Sequence, residues 1–315
     1  MAFNPALNAE LDARTTLVFA EKMLGEYPDI LGEIIIEDEL TNGTWTPVML
    51  APAGKARVFD GSKIINPITG GGVIVEGTRY EHTVGISKDA VSENSVYQRG
   101  TAAGTILAKS AQSHWSRTPV DVILANPVNA LTGHRLFGNQ AIYELQEDGK
   151  TKLVSGQPVV LKTACNVILK SGDDTTDLDN YTPGDESWGL FAPGVAVRAA
   201  GEKYSTTYLG SDSEHCFKTG QLVTGYEAKM YIGGGLWYSG VYSDQEFTAE
   251  SLQEAMDRMA SFTDAIGAPL EADPVIIFVK KGSKAAAAAK KLMKTETLNG
   301  GETNVYAGLF KVVEH

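Results

Sequence analysis

The stretch TRYEHTVGISKDAVSENSVYQRGTAAGTILAKSAQSHW, residues 78–115, decides how the rest of the chain is read. Its first part alternates. Tyr80, His82, Val84 and Ile86 share one face and Glu81, Thr83, Gly85 and Ser87 the other, which is the two-residue period of a half-buried strand. Ser87 stands where it can cap the polar turn SKDAVSEN. From Val96 the period becomes helical, with a stripe running Tyr97, Gly104, Ala108, Ala111, Trp115. Three of these five are small, so the face adds little buried area of its own and lets another backbone lie close. The expectation is a helix over 96–115 whose Gly104, Ala108 and Ala111 admit another backbone. A second helix is then opened by Pro119 in TPVDVILA.

Upstream, residues 5–25 read as an amphipathic helix. Asn4 can cap it, Pro5 suits its first position, Leu7, Leu11, Val18, Met23 and Leu24 fall to one side, and Gly25 ends it. The segment TNGTWTPVMLAPAGKARVFDGSKIINPITGGGVIVEG that follows is rich in glycine and proline and has no helical period. An excursion of this length within a folded domain is functional or held by something else. It carries Trp45, Val48, Met49, Leu50 and Phe59, which left exposed would be an aggregation hazard.

Downstream, residues 131–247 are β-like, with runs such as PVVLKTACNVIL and AKMYIGGGLWYSGVY divided by glycine, aspartate and proline. The acidic segment SGDDTTDLDNYTPGDES, 171–187, reads as an exposed loop. In the last quarter Phe247 and Leu252 bracket Thr248 as a hydrophobic staple around a helix cap. The stripe Leu252, Met256, Met259, Phe262, Ile266 predicts a helix ending at Gly267. PVIIFVKK reads as a buried strand, and Ser283 opens the alanine-rich helix KAAAAAKKLM, giving an α/β layer.

Composition narrows the function. With 43% hydrophobic and 21% charged residues the chain can bury a sizeable core. A net charge of −12, from 27 Lys+Arg against 39 Asp+Glu, excludes a reader of nucleic acid that works by neutralising phosphates. Cys165 and Cys216 make no CxxC pair and encode neither a disulfide framework nor a zinc knuckle. The first residues, MAFNPALNAELDARTT, lack the basic and apolar regions of a signal peptide. The run VIIFV at 275–279 is far short of the ~20 residues of a bilayer span, so no membrane partner is expected.

Catalytic patterns are missing. No serine sits in G-x-S-x-G, the nearest stretch being LVSGQ at 153–157. ITGGGVIV at 68–75 and YIGGGLW at 231–237 lack the G-x-G-x-x-G spacing, and KKGSKAAAAAKK is an ordinary capped helix start. Among His82, His114, His134, His215 and His315 no pair has helical metal spacing, and SEHC, read as a strand, sends His215 and Cys216 to opposite faces. Asp173, Asp174, Asp177 and Asp179 lack the glycine and glutamate of a calcium loop, and Lys55 and Lys63 read as surface charge. The expectation is a protein that is not an enzyme, with no cofactor and no metal.

Three blocks together resemble the Mu-like prophage major head subunit family. They are YEHTVGISKDAVSENSVYQRGTAAGTILAKSAQSHWSRTPVDVILA, then YIGGGLWYSGV, then ESLQEAMDRMASFTDAIGAPLEADPVIIFVKKGSKAAAAAKKLM. They run in the family's order; FKVVEH near the end, VKKG after the strand and the acidic segment depart from its pattern. The resemblance implies the tailed-phage major capsid fold, Hong Kong 97-like, of class α+β. Residues 1–42 would be an N-terminal arm, 43–78 an extended β-hairpin loop, and 79–130 a peripheral domain with its spine helix at 96–115. Residues 131–315 would form an axial α/β domain plus the remaining peripheral strands.

The implied function is self-assembly into hexamers and pentamers of an icosahedral shell around double-stranded DNA, which the acidic chain encloses without gripping. Trp45, Val48, Met49, Leu50, Phe59, Gly104, Ala108 and Ala111 are the implied assembly contacts. A portal, a decoration protein, and a scaffold and protease separate from this chain are the implied partners, since no long charged leader precedes the arm. The subunit would be made in the host cytoplasm and reside in the virion. The alternatives are an encapsulin-like shell holding a cargo enzyme, or an unrecognised hydrolase or sugar-binding β protein.

Overall fold

The strand and helix of 78–115 form as their periods require, and the rest of the chain is built around them. A computed structural model describes residues 5–24, 31–46, 74–91, 95–144, 146, 151–170, 178–201, 205–210, 213–297 and 303–315. In chain order the elements are α1 (Pro5–Leu24), β1 (Ile35–Glu39), β2 (Thr44–Trp45), β3 (Val75–Glu76), β4 (Thr78–Ser87), α2 (Val96–Ala125), β5 (Asn139–Tyr143), β6 (Leu153–Val154), β7 (Gln157–Pro158), β8 (Val160–Cys165) and β9 (Val167–Ile168). There follow β10 (Trp188–Phe191), β11 (Ala196–Ala200), β12 (Ser205–Leu209), α3 (Glu214–Thr219), β13 (Gln221–Gly234), β14 (Gly240–Ser243), α4 (Ala249–Ala260), β15 (Ile276–Val279), α5 (Lys284–Lys294) and β16 (Lys311–Glu314).

Two five-stranded sheets organise the chain. The first is centred on the long β13. β4 pairs along one side of it, from Gln221↔Ser87 to Met230↔Thr78, and β12 and β11 share the other side. β1 adds to β11 in parallel. The alternation seen in the sequence is kept, since Tyr80, His82, Val84 and Ile86 are the more covered positions of β4. Helices α1 and α2 lie side by side on this sheet. Phe19, Leu107, Ala108, Ala111 and Tyr226 form one cluster, and Leu11, Ile86, Val96, Ala103 and Leu222 another.

The second sheet has the order β16-β15-β10-β14-β9. Its three central strands are buried at every residue, which is why VIIFV is a continuous apolar run rather than an alternating one. Helices α4 and α5 cover one face through Leu252, Ala255, Met259, Ala286 and Ala289. The other face packs Phe191, Tyr242 and Phe278 against Ile123 and Phe137, in a cluster that also holds Ile35 and Ala196 of the first sheet. One apolar core therefore joins the two sheets beneath the end of α2.

Five expectations change. Pro119 does not start a second helix, because α2 runs unbroken through it from Val96 to Ala125. SEHC is not a strand. Ser213 accepts a hydrogen bond from the Cys216 amide and Gly220 takes φ +67°, so both ends of a one-turn helix are capped. α4 stops at Ala260, because the Asp264 carboxylate accepts from the amides of Ile266 and Ala268 and holds a turn there instead. The acidic segment is not wholly exposed, since Leu178 and Tyr181 enter the core. Ser87 precedes its short turn at Lys88–Ala90 without a side-chain cap bond. By contrast Thr248 caps α4 in a reciprocal box with Ser251, and Ser283 caps α5 as its sequence indicates.

Candidate assembly surfaces

The small-residue face of α2 is filled from within the subunit. A side chain begun at Gly104 would place its Cβ 2.6 Å from the Thr15 carbonyl oxygen and 2.9 Å from Val18 Cβ, and at Gly100 2.9 Å from Arg14 Cβ. Arg14 lies over the Tyr97 ring at 4.0 Å and donates to the Thr101 hydroxyl at 3.1 Å. Gly104 is buried, and Ala108 and Ala111 are both 0% exposed. The close-lying backbone they admit is α1 of the same chain, not a neighbour's loop. That corrects the reading of Gly104, Ala108 and Ala111 as contacts open to another subunit. The outward face of α2 instead shows Tyr97 and Ile106, about half exposed, around Ala102 and Thr105.

Trp45 is likewise internal. It is 3% exposed, stacks on Tyr231 at 4.9 Å and donates from Nε1 to Asp38 at 2.8 Å. With β2 paired to β3, it pins the two ends of the excursion to the first sheet. The residues expected to do the adhesive work, Val48, Met49, Leu50 and Phe59, lie outside the described residues, as do Lys55 and Lys63.

Sequence reasoning missed the ribbon formed by β5 to β8. LVSGQP is a tight two-residue hairpin in which Ser155 and Gly156 both take positive φ, +53° and +79°. Leu153, Val154, Val160 and Leu161 are each about half exposed. Successive strand residues point to opposite faces, so neither face of the ribbon is polar. A two-stranded ribbon with apolar residues on both faces is marginal in water and is suited to being covered. Phe217, on α3, is 90% exposed.

Buried polar groups tie α2 to the first sheet and to the loops at its own C-terminal end. Arg198 on β11, 1% exposed, donates from Nη1 to the Trp115 carbonyl at 2.8 Å, lies over the Trp115 ring at 4.0 Å, and meets Glu37 of β1 at 2.5 Å through Nη2. At the helix end Asn126 adopts the left-handed conformation and donates to the Phe137 and Tyr181 carbonyls, each at 2.7 Å. Asn166 binds the Leu136 and Trp237 carbonyls, and Asn129 that of Gly235. An asparagine after a long helix is a readable C-cap signal. The partners of the other two are distant in sequence, and nothing local announces them. Tyr181 and Ser187 both donate to Asp244. Burial, and then the Asp244 carboxylate, push the Tyr181 hydroxyl far above the ordinary tyrosine range.

Among the described residues no group of three His, Cys, Asp or Glu is placed to hold a metal, and no helix is long and apolar enough to cross a membrane. Cys165 donates from Sγ to the Val167 carbonyl at 3.5 Å, Cys216 is buried on α3, and the two share no disulfide. His114 packs on Tyr80 at 4.1 Å and bonds to Thr118, and burial holds it below its ordinary pKa. A depression of about 800 Å³ beside Asn42 and Gly77 is lined by the charged pairs Glu76–Lys229 and Arg79–Glu227, and its described lining residues include no nucleophile with an adjacent base.

A helix pair on one sheet, joined through a single core to a second sheet flanked by helices, is the architecture of a tailed-phage major capsid protein. The procapsid of bacteriophage JBD30 matches over 99% of this chain and 99% of its own, with a TM-score of 0.74 and 18% identity. The JBD30 capsid matches over 93% and 91%, with a TM-score of 0.66 and 13% identity. The same capsid decorated with minor capsid protein trimers matches over 93% and 91%, at 0.61 and 14%. Residues 198–315 match the family described as Mu-like prophage major head subunit gpT, the family that the sequence resembles. No curated protein matches the sequence.

Proposed function

We propose that this chain is the major head subunit of a tailed phage, assembling with copies of itself into hexamers and pentamers of an icosahedral shell that encloses double-stranded DNA. The observation that carries the reading is the fold match along nearly the whole chain to a phage procapsid subunit, joined to the family match over 198–315. These favour a phage head over the encapsulin-like alternative. The family is one of structural proteins, and the reading assigns this chain no catalysis.

Physical features agree with it. The apolar ribbon around Leu153 and Val160, the strip around Tyr97 and Ile106, and Phe217 are costly on a free monomer and useful on a subunit surrounded by neighbours. Many weak contacts repeated around a shell give collective stability while each remains reversible during assembly. The excursion with Val48, Met49, Leu50 and Phe59 is assigned to a neighbour's surface, and Trp45 to anchoring its base. A net charge of −12 keeps the shell from gripping the genome. A portal, a separate scaffold and protease, and a minor capsid protein of the kind that decorates the JBD30 capsid are the proposed partners; the virion is its place and the host cytoplasm its site of synthesis.

Negative-stain microscopy of the purified protein tests the reading, with closed shells expected. A monodisperse monomer at every concentration and ionic strength would overturn it. Replacing residues 47–73 by a short linker leaves β2, β3 and Trp45 in place and is expected to give a folded subunit that makes no closed shells. Normal shells from that variant would remove the excursion from the mechanism.

A further inference from the structure

Proline at position 119 sits inside a 30-residue helix and has no amide hydrogen. In a regular helix the amide of residue 119 would donate to the carbonyl of residue 115, so Pro119 leaves the Trp115 carbonyl without its helical donor. That carbonyl is where Nη1 of Arg198 donates, at 2.8 Å, from a different element 83 residues away in sequence. The guanidinium is held there on two more sides, by the Trp115 ring at 4.0 Å and by Glu37 at 2.5 Å. A planar fork can stack and donate at once, which an ammonium cannot.

We propose that Arg198 takes the place of the hydrogen bond that Pro119 removes, and that it is thereby the positioning residue that sets how the spine helix sits on the first sheet. The break is placed where the sheet can reach it. Segment 96–118 lies on the first sheet with α1, while Val120 and Ile123 enter the core shared with the second. Proline is the usual cause of a kink in a long helix, and a kink at 119 would redirect the whole outward face that carries Tyr97 and Ile106. Arg198 couples that direction to β11, and Glu37 couples it to β1. The assembly consequence rests on the proposed head-subunit function; the replacement of the hydrogen bond does not.

A double-mutant cycle tests the replacement in unassembled subunits. Arg198→Met loses the stack and the Glu37 pair whether or not residue 119 is proline, so those losses cancel in the cycle. Pro119→Ala restores an amide that donates to the Trp115 carbonyl. The expected result is that Arg198→Met shifts the urea midpoint less in the Pro119→Ala background than in the native one. Equal shifts in both backgrounds would overturn the proposal.

If Arg198→Met alone does not fold, recovery of folding in the double variant supports the proposal and continued failure overturns it. The same cycle with Arg198→Lys supplies the midpoints. On the assembly side, Arg198→Lys is expected to lose closed shells that Arg198→Lys with Pro119→Ala regains. Shells absent from the wild-type protein would count against the head-subunit reading alone, because the stability cycle is read without them.

Discussion

Substituting alanine for Gly104 separates two opposed effects whose signs differ. In the interior of a helix alanine is favoured over glycine by about 1 kcal/mol, so propensity alone makes Gly104→Ala stabilising. The structure puts the new Cβ 2.6 Å from the Thr15 carbonyl oxygen, 2.9 Å from Val18 Cβ and 3.1 Å from the Phe19 amide nitrogen. Two of these three atoms belong to the backbone of α1 and cannot rotate away, so α1 must retreat by several tenths of an ångström. Leu11, Val18 and Phe19, which it buries, move with it.

Overpacking of a close-packed core costs typically about 1–3 kcal/mol, and two of the three close atoms being backbone places this site in the upper part of that range, so after the propensity gain a net destabilisation of up to about 2 kcal/mol is expected. Gly100→Ala meets a side-chain carbon at 2.9 Å and the Leu11 carbonyl oxygen at 3.2 Å, and should cost less. The assay is urea unfolding of the unassembled subunit followed by tryptophan fluorescence, with the slope unchanged and the midpoint lowered, more for Gly104 than for Gly100. A rise in both midpoints would refute the close packing of α1 on this face and return Gly104, Ala108 and Ala111 to the list of surfaces open to a neighbour.

Two further outcomes are expected. Leu153→Asp with Val160→Asp changes side chains that are about half exposed, so subunit stability should stay within about 0.5 kcal/mol while shell yield falls; an unchanged yield by microscopy would remove the ribbon from the interface. Burial holds His114 below its ordinary 6.5, with the Asp121 charge working the other way, and burial and then Lys280 lower His315 as well. The unfolded chain therefore binds more protons than the folded one below about pH 6.5, so these residues destabilise the subunit progressively as pH falls through that value. His114→Phe should make the urea midpoint less sensitive between about pH 7.5 and about pH 5.5 than in the wild type; equal sensitivity would show that His114 does not contribute.

What could be read from the residues was whatever repeats over a short span or sits at an element's end. The alternation in β4, the caps at Thr248 and Ser283, the continuous apolar run of β15 and the start of α2 are all written locally, because a strand's two faces and a helix's first turn are decided by residues within a few positions. The family's motifs were legible in order for the same reason, and the match over 198–315 covers the last two of the three blocks.

The errors share a cause as well. A stripe of small residues announces that some backbone comes close but not whose, and only the fold shows that α1 returns to lie on Gly104. A proline in a helical run reads as a boundary unless something else serves the carbonyl it orphans, and Arg198 arrives from 79 residues further along the chain than Pro119. Asp264 ends α4 early through its own turn, against an apolar stripe that continues past it.

The sequence by itself determined the class of fold, most of its elements and the absence of catalytic patterns, since these rest on local period, capping and composition. Tertiary structure alone decided which apolar surfaces are spent inside the subunit and which are left exposed. Burial is a property of where distant segments meet. Trp45 and Ala108 look adhesive in one dimension and are internal in three, while Val160, in a run that reads as a strand, is about half exposed.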